Sequence, residues 1–435
     1  MHIILYEDTS QPSLLPLTHV NSDFDMRCGV FTARERAERL FADATIALAV
    51  RPHLADVMRE RSGAAVNLVA AAEASPGCLC VSGRALLDLA AARVLSSTTS
   101  DTAFLTSDGD LIAVACHSPA LHAAFGALLA QGLSGSMPAE EPIVRAVLAH
   151  AVALAFVTLE VPVLRRPWDA IGHNRRMLAS DAGLFAMGTV DPTARISPHA
   201  IVCDAAQVYV GADVVIAAGA IVDPVEGPVI IDAGAEIMHG AIVRGPVYVG
   251  RGSRIKAGAK VYEGTSIGPV CKVGGEVEDV IFHSYANKQH EGFAGHSYFA
   301  AWTNLGADTN TSDLKNNYSP VRMTLEGVDH DTGRMFLGSI LADHTKTGIN
   351  TMLNTGTSAG VGCNLYGGDF PPKYLPSFSW GGAAGLVTYD LDRFLRTASA
   401  VMQRRGLTLT DTERELLAHV FAATEPQRSR FAPST

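Results

Sequence analysis

The segment Ile231 to Val273, IDAGAEIMHGAIVRGPVYVGRGSRIKAGAKVYEGTSIGPVCKV, decides the fold. Every sixth residue in it is β-branched and aliphatic: Ile231, Ile237, Val243, Val249, Ile255, Val261, Ile267 and Val273. Gly234, Gly240, Gly252, Gly258 and Gly264 each stand three places after one of these. A helix repeats its buried face about every 3.6 residues and a strand about every 2, so a strict period of six belongs to neither alone. It fits a chain that turns a corner every six residues and points one aliphatic side chain inward per face. Glycine at the corners permits tight, often left-handed turns. Hexapeptide repeats of this kind form parallel β-helices, and a left-handed parallel β-helix is expected over residues 190–385.

Shorter hexad runs flank this segment. Ile196 and Val202 precede Val210, Ile216 and Val222 with a two-residue shift, and Asp223-Pro224 marks a pause. Hexad spacing is read again at Ile349, Thr355 and Val361, so the coil is expected to resume beyond an interruption at roughly 283–335. That interruption is rich in His, Asn, Lys and aromatic residues, and loops inserted at solenoid corners often carry the binding face.

Residues 1–165 alternate Ala/Leu/Val-rich helical runs with short β-like runs such as His2 to Tyr6 and Cys78 to Ser82, the pattern of an α/β layer domain. Phe104 to Val114 reads as two strands joined at Asp108-Gly109. The alternative for Asp108 and Asp110 is a pair of Mg²⁺ ligands. Ala146 to Leu159 is apolar but short of the roughly 20 residues of a membrane span, so a buried core helix is expected and no membrane partner. Residues 166–189 read as a linker helix. Residues 386–435 form a helical C-terminal extension over the open end of the solenoid, with a capping box at Thr410 to Glu413.

Net charge is −10, which gives no nucleic-acid footprint. The cysteines are odd in number and dispersed without a CxxC pair, which suits reduced thiols in the cytoplasm. The N-terminus, MHIILYEDTS, lacks the layout of a secretory signal.

His283, His290 and His296 allow two chemistries, a metal site or a neutral imidazole acting as general base. Lys288, Lys315, Lys346 and Lys373 are candidates for phosphate groups of a substrate or coenzyme A. Asn304, Asn310, Asn316 and Asn317 offer both donors and acceptors for a sugar. The bland reading is that the polar segment fills a subunit interface.

Asn287-Lys288-Gln289-His290-Glu291-Gly292-Phe293, Trp302-Thr303-Asn304-Leu305-Gly306-Ala307, Leu314-Lys315-Asn316-Asn317-Tyr318, Asp343 to Asn350 and Pro376 to Gly382 carry a resemblance. So, more loosely, do Leu14 to Thr18, Arg27 to Arg36 and Trp168 to Ile171. The chain resembles the divergent bacterial sugar nucleotidyltransferases with hexapeptide repeats. That family is related to the bifunctional N-acetylglucosamine-1-phosphate uridylyltransferase/glucosamine-1-phosphate acetyltransferase. The resemblance implies nucleotidyl transfer to a sugar 1-phosphate in a nucleotidyltransferase-like N-terminal domain. It also implies acetyl transfer from acetyl-CoA to a hexosamine 1-phosphate amine in the β-helix. His290 would be the base and Asn304 would position the substrate or carbonyl. Lys288, Lys315, Asn316, Asn317, Tyr318, Lys346 and Lys373 would contact substrate or coenzyme A.

Arg27 and Arg34 would supply charge for a nucleoside triphosphate, with Mg²⁺ assisting. The competing reading has Arg34 and Arg36 solvating a helix face. Departures from the family pattern are Phe293 for a tyrosine, Asp308 for a glycine, Asp313 for an asparagine, and Glu35-Arg36-Ala37 for Glu-Lys-Trp. The glycine-rich phosphate loop is reduced to Leu15-Pro16-Leu17-Thr18. A homotrimer is expected because a single prism leaves flat faces. Two further readings stand: an acyltransferase with a degenerate N-terminal domain, and a non-catalytic trimeric scaffold.

Overall fold

The computed structural model describes residues 1–7, 11–67, 78–133 and 154–430. The chain packs as two units. Met1–Leu14, Val20–Met26 and Phe31–Asp169 form the first, and Leu15–His19, Arg27–Val30 and Ala170–Thr435 the second.

The first unit is built on a seven-stranded sheet. Its strands are β1 (His2–Tyr6), β2 (Thr45–Ala49), β3 (Ala65–Val66), β4 (Cys78–Ser82), β5 (Thr102–Leu105), β6 (Leu111–Cys116) and β7 (Ala155–Thr158), in the order β3-β2-β1-β4-β6-β5-β7. β1 runs parallel to β2 and β4, whereas β6 runs antiparallel to both β4 and β5. The β5–β6 hairpin turns at Asp108-Gly109, where Gly109 takes φ +90° and the Thr106 N–H donates to the Asp110 carbonyl at 2.9 Å. Helix α1 (Ala33–Leu40) starts with a capping box, Thr32 and Glu35 each satisfying the other's backbone N–H. Helices α2 (Ala55–Ser62), α3 (Leu89–Ser97) and α4 (Pro119–Leu133) complete the described layers. Phe125 of α4 meets Tyr6 of β1 edge-on at 5.5 Å. Most of Ala146 to Leu159 lies outside the described residues, and its described end is strand β7 rather than a core helix.

The second unit is a parallel β-helix of three faces. Ile237, Ile255 and Val273 stack on the first face, Val243, Val261 and Val277 on the second, and Ile231, Val249 and Ile267 on the third. All are fully buried and form one apolar column. The two-residue shift before Val210 is a short 3-10 turn at Ala205–Gln207.

The coil does not stop near residue 283. Strands continue at Asn287–Lys288, Phe293–Gly295, Tyr298–Phe299 and Asn310–Thr311, each paired to the coil before. Their inward positions are Lys288, Ala294, Phe299 and Thr311, so the aliphatic period disappears while the geometry persists. The chain leaves the coil only after Thr311, makes the antiparallel hairpin Arg322–Leu325/Val328–Asp331, and rejoins at Ser339–Leu341. The returning inward residues are Leu341, Thr347, Leu353, Ala359 and Leu365. The hexad read at Ile349, Thr355 and Val361 is therefore two residues out of register, and Ile349 is a corner residue with 71% exposure. Small and hydroxylated inward residues conceal the true period there.

The third face is covered by the unit's own chain. Its outward residues Ile230, Tyr248, Ser266, Ile281, Tyr298 and Ile340 are buried. Helix α5 (Pro167–Asp181) lies over this face through Asn174, whose amide donates to the Gly264 carbonyl at 2.6 Å. The Arg27–Val30 segment joins it: Tyr298 Oη accepts from the Arg27 N–H at 2.9 Å, and Ser266 Oγ donates to the Gly29 carbonyl at 2.8 Å.

The corner between third and first faces is left-handed throughout, but its residues change. Asp213, Gly234, Gly252 and Val270 occupy it early, and Tyr285, Trp302 and His344 later, these last three with φ between +54° and +64°. Tyr285 stacks on Trp302 at 4.3 Å and Trp302 on His344 at 6.0 Å. Helices α6 (Leu391–Gln403), α7 (Asp411–Ala423) and α8 (Glu425–Ser429) follow the last coil. Phe394 and Phe421 meet Phe378 of that coil edge-on. Among the described residues, no helix is long and apolar enough to cross a membrane.

Candidate active site

On the first face, β-helix pairing sets the outward residues in one row: Lys272, Asn287, Asn304, Lys346, Asn364 and Trp380. Successive rungs of such a row stand about 4.8 Å apart. Asn304 therefore lies directly between Asn287 and Lys346. The Lys346 Nζ donates to the His344 carbonyl at 2.9 Å, and burial pushes its ammonium down to about 8. Arg405, just beyond α6, donates from Nη2 to Asn287 Oδ1 at 2.9 Å.

Lys288 takes a different place. It pairs with Val273 on the inward register, is 1% exposed, and donates from Nζ to the carbonyls of Gly274 (2.9 Å) and His290 (3.2 Å). Burial pushes its ammonium down to about 8, an effect that Glu291, Asp308 and Glu276 oppose. Lys288 thus braces the corner carrying His290 from inside, whereas the sequence reading had it facing a ligand. His290 itself is exposed at the corner between first and second faces. The corner stacks coil on coil, the Asp308 N–H donating to the Glu291 carbonyl at 3.0 Å and the Asn350 N–H to that of Ala307 at 2.8 Å.

The three histidines occupy three different corners of one coil. His283 follows the third-face strand and binds Ser284 Oγ through Nδ1 at 2.9 Å. His290 follows the first-face strand and His296 the second-face strand. His296 lies between two carboxylates, Nδ1 to Asp313 at 2.8 Å and Nε2 to Asp279 at 3.4 Å, and Asp279 is held by Arg175 at 2.7 and 2.8 Å. Spacing of about one face each keeps the imidazoles of a single chain apart. The Asp313–His296–Asp279–Arg175 line ties the departing loop to the coil. Sequence reading passed it over because its members lie far apart in the chain.

Lys315, Asn316, Asn317 and Tyr318 sit in the loop after Thr311, away from the Asn304 row. The Lys315 Nζ donates to the Pro320 carbonyl at 2.6 Å, Asn317 Oδ1 accepts from Ser319 Oγ at 2.9 Å, and Tyr318 is exposed. Asn316 is exposed beside them. Lys373 belongs to this second group: burial and then the charge of Lys315 hold its ammonium below the usual lysine range.

In the first unit, parallel strands β1 and β4 flank the point where strand order reverses, and ligands of open α/β sheets bind beyond the carboxyl ends there. Glu7 follows β1, Arg51 closely follows β2 and Arg84 closely follows β4. The Glu7 carboxylate is buried and holds the Arg51 guanidinium at 3.0 and 3.1 Å. Arg84 is buried, donating to the Leu164 carbonyl at 3.2 Å with Asp110 at 3.7 Å. The sequence reading missed these three, although each stands one or two places past a strand it had found or could find.

The groups it did select are engaged elsewhere. Arg34 pairs with Asp25 at 2.8 Å and Glu38 at 3.1 Å. Arg27 donates from Nε to the His283 carbonyl at 3.1 Å and from Nη1 to that of Val30. Asp108 and Asp110 hold Arg165, at 2.7 and 2.9 Å. No three His, Cys, Asp or Glu residues gather as a metal site among the described residues. With Asp108 and Asp110 neutralised by arginine, these side chains do not fit a resident Mg²⁺.

Residues 3–189 match the family model described as sugar nucleotidyl transferase. A curated relative, the bifunctional sugar-1-phosphate nucleotidylyltransferase/acetyltransferase of Sulfurisphaera tokodaii, is 32% identical over 146 residues. That match covers 33% of this chain and 36% of the relative, so the chain spans about a third of the length of the curated relative it matches. Among solved structures, the UDP-N-acetylglucosamine acyltransferase of Arabidopsis is 17% identical with a TM-score of 0.22, covering 57% of this chain and 98% of that one. The UDP-N-acetylglucosamine acyltransferase of Campylobacter jejuni is 15% identical with a TM-score of 0.22, covering 53% and 95%. The match to the sugar nucleotidyl transferase family model over residues 3–189 and the parallel β-helix thus fall on one chain.

Proposed function

We propose that the chain is a two-part enzyme of sugar-nucleotide biosynthesis. The first unit transfers a nucleotidyl group to a sugar 1-phosphate, and the β-helix acetylates a hexosamine 1-phosphate from acetyl-CoA. The observation that carries this reading is the union, in one polypeptide, of a sugar nucleotidyl transferase domain with a β-helix bearing the Asn287–Asn304–Lys346 row. In the acetyl step, the exposed His290 takes a proton from the amine as its nitrogen attacks the thioester carbonyl. The C–N bond forms, the C–S bond breaks, and the coenzyme A thiolate leaves and is protonated. Asn304 orients the acceptor or the carbonyl, and the Lys346 ammonium supplies positive charge to a phosphate. Trimer assembly through the faces other than the covered third face, in the cytoplasm, belongs to this reading.

The test supplies the full chain with acetyl-CoA and glucosamine 1-phosphate and follows thiol release. His290→Ala is expected to slow it by about a hundredfold or more. Release at the wild-type rate in that variant would overturn the assigned base. A second reading, acetyl transfer with a degenerate first unit, is favoured by the ion pairs that occupy Arg34, Asp108 and Asp110. Pyrophosphate release from UTP or dTTP with Mg²⁺ and a sugar 1-phosphate decides between them.

A further inference from the structure

Followed toward the earlier coils, the outward row of the first face runs from Asn287 to Lys272 and on to Arg254. Lys256 stands two residues past Arg254. The α6 helix ends at Gln403, and the Arg404-Arg405 pair that follows is anchored over this row by the Arg405–Asn287 hydrogen bond. Burial, and then the charges of Arg405, Arg254, Lys256 and Arg404, hold the Lys272 ammonium below the usual lysine range. Arg254 also meets Glu236 at 3.2 Å. A chain of net charge −10 thus concentrates five cations from two distant segments on one face. Such a concentration repels itself, and a bound anion relieves that repulsion.

We propose that Lys272 and Arg405, with Arg254, Lys256 and Arg404 around them, form a binding site for a phosphate-rich anion carrying a diphosphate or larger group. Two rungs of the row span about 10 Å, wider than one phosphate and suited to two in series. Arginine and lysine here divide the work, the planar guanidinium gripping oxygens in pairs and the ammonium acting as a point charge. The shared chemistry has two sources, the phosphates of coenzyme A or those of a free nucleotide. The site stands independently of the acetyl-transfer reading.

The experiment uses the full chain at low ionic strength, with thermal shift and calorimetric titration of inorganic pyrophosphate, ADP, coenzyme A and dephospho-coenzyme A. Pyrophosphate is expected to raise Tm in a concentration-dependent way and to lose affinity as salt is added. Lys272→Ala and Arg405→Ala are each expected to weaken binding about tenfold. Arg404→Ala, an exposed change, serves as the variant whose fold is secure, and is expected to weaken binding and to make the salt dependence of what remains shallower. A preference for coenzyme A over its dephospho form identifies the first source, and equal binding of ADP the second. Absence of stabilisation by every probe, or unchanged affinity in all three variants, overturns the proposal. Because pyrophosphate carries no acyl group, its binding is expected to survive His290→Ala, so this site and the assigned base fail separately.

Discussion

The β-helix is two structures sharing one backbone plan. Up to Val277, its interior is almost wholly aliphatic and its third-to-first corner holds Asp213, Gly234, Gly252 and Val270. Beyond that, the interior admits Lys288, Thr311 and Thr347, and the corner carries the rings of Tyr285, Trp302, His344 and, past Gly362, Phe378. The first half rests on apolar burial. The second half pairs buried hydroxyls with one another and with the backbone. Thr309 Oγ1 meets Thr347 Oγ1 at 2.8 Å, and Thr347 Oγ1 accepts from the Gly306 N–H at 3.0 Å. The candidate site lies where the second kind begins. The difference shows that a solenoid can keep its register through strand pairing after its sequence period has lapsed.

Breaking the first half requires only one charge. Ile255→Asp buries an unpaired carboxylate in the aliphatic column and is expected to cost about 4 kcal/mol or more, measured by denaturant unfolding. Wild-type-like stability in that variant would erase the contrast between the halves.

Lys288→Met makes the second half resemble the first. Replacing a buried ammonium with a well-packed apolar side chain is expected to stabilise the chain at neutral pH by about 1–3 kcal/mol. The pH dependence carries the same message. The Lys288 and Lys346 ammoniums, held at about 8 against 10.5 for the ordinary group, bind their protons more weakly folded than unfolded. Stability therefore rises as pH climbs from about 8 toward 10.5, and the cost is fully present below that window. Thermal unfolding across it is expected to show a shallower rise in Lys288→Met.

Corner exchanges give the smallest effects. Gly252 has φ +65° and open space around its Cβ position, so Gly252→Ala tests backbone strain alone and is expected to cost about 1 kcal/mol. Trp302→Gly relieves similar strain but forfeits stacking on Tyr285 and His344. The two nearly cancel, to within about 1 kcal/mol. Matching losses in both variants would mean that the corner residues of the two halves are doing the same job.

How much was legible follows the same division. Ile231 to Val273 disclosed the β-helix because aliphatic residues advertise an inward position. Lys288, Ala294 and Thr311 occupy the same kind of position without advertising it, so the coil was read as ending too soon. Ile349 advertised an interior place it does not hold. Asn304 and Lys346 were found as residue types, but their adjacency depends on pairing across the departing loop. Capping boxes at Thr32 and Thr410 illustrate the opposite case, being local and therefore partly readable. The Arg405–Asn287 contact joins residues remote in the chain and left no local mark.

The ammonium of Lys288 inside the column has one more consequence. In a stack where each coil touches only its neighbours, stability is passed along like a row of linked couplings, and the row fails first at its weakest joint. The rung of Lys288 is such a joint. Fraying that starts at the C-terminal coils and helices would run back to it and halt against the aliphatic coils beyond. Amide exchange would then show two protection levels with a step between Val273 and Lys288. The candidate site would sit on the yielding side of that step, free to adjust to its ligands without loosening the coils that hold it in place.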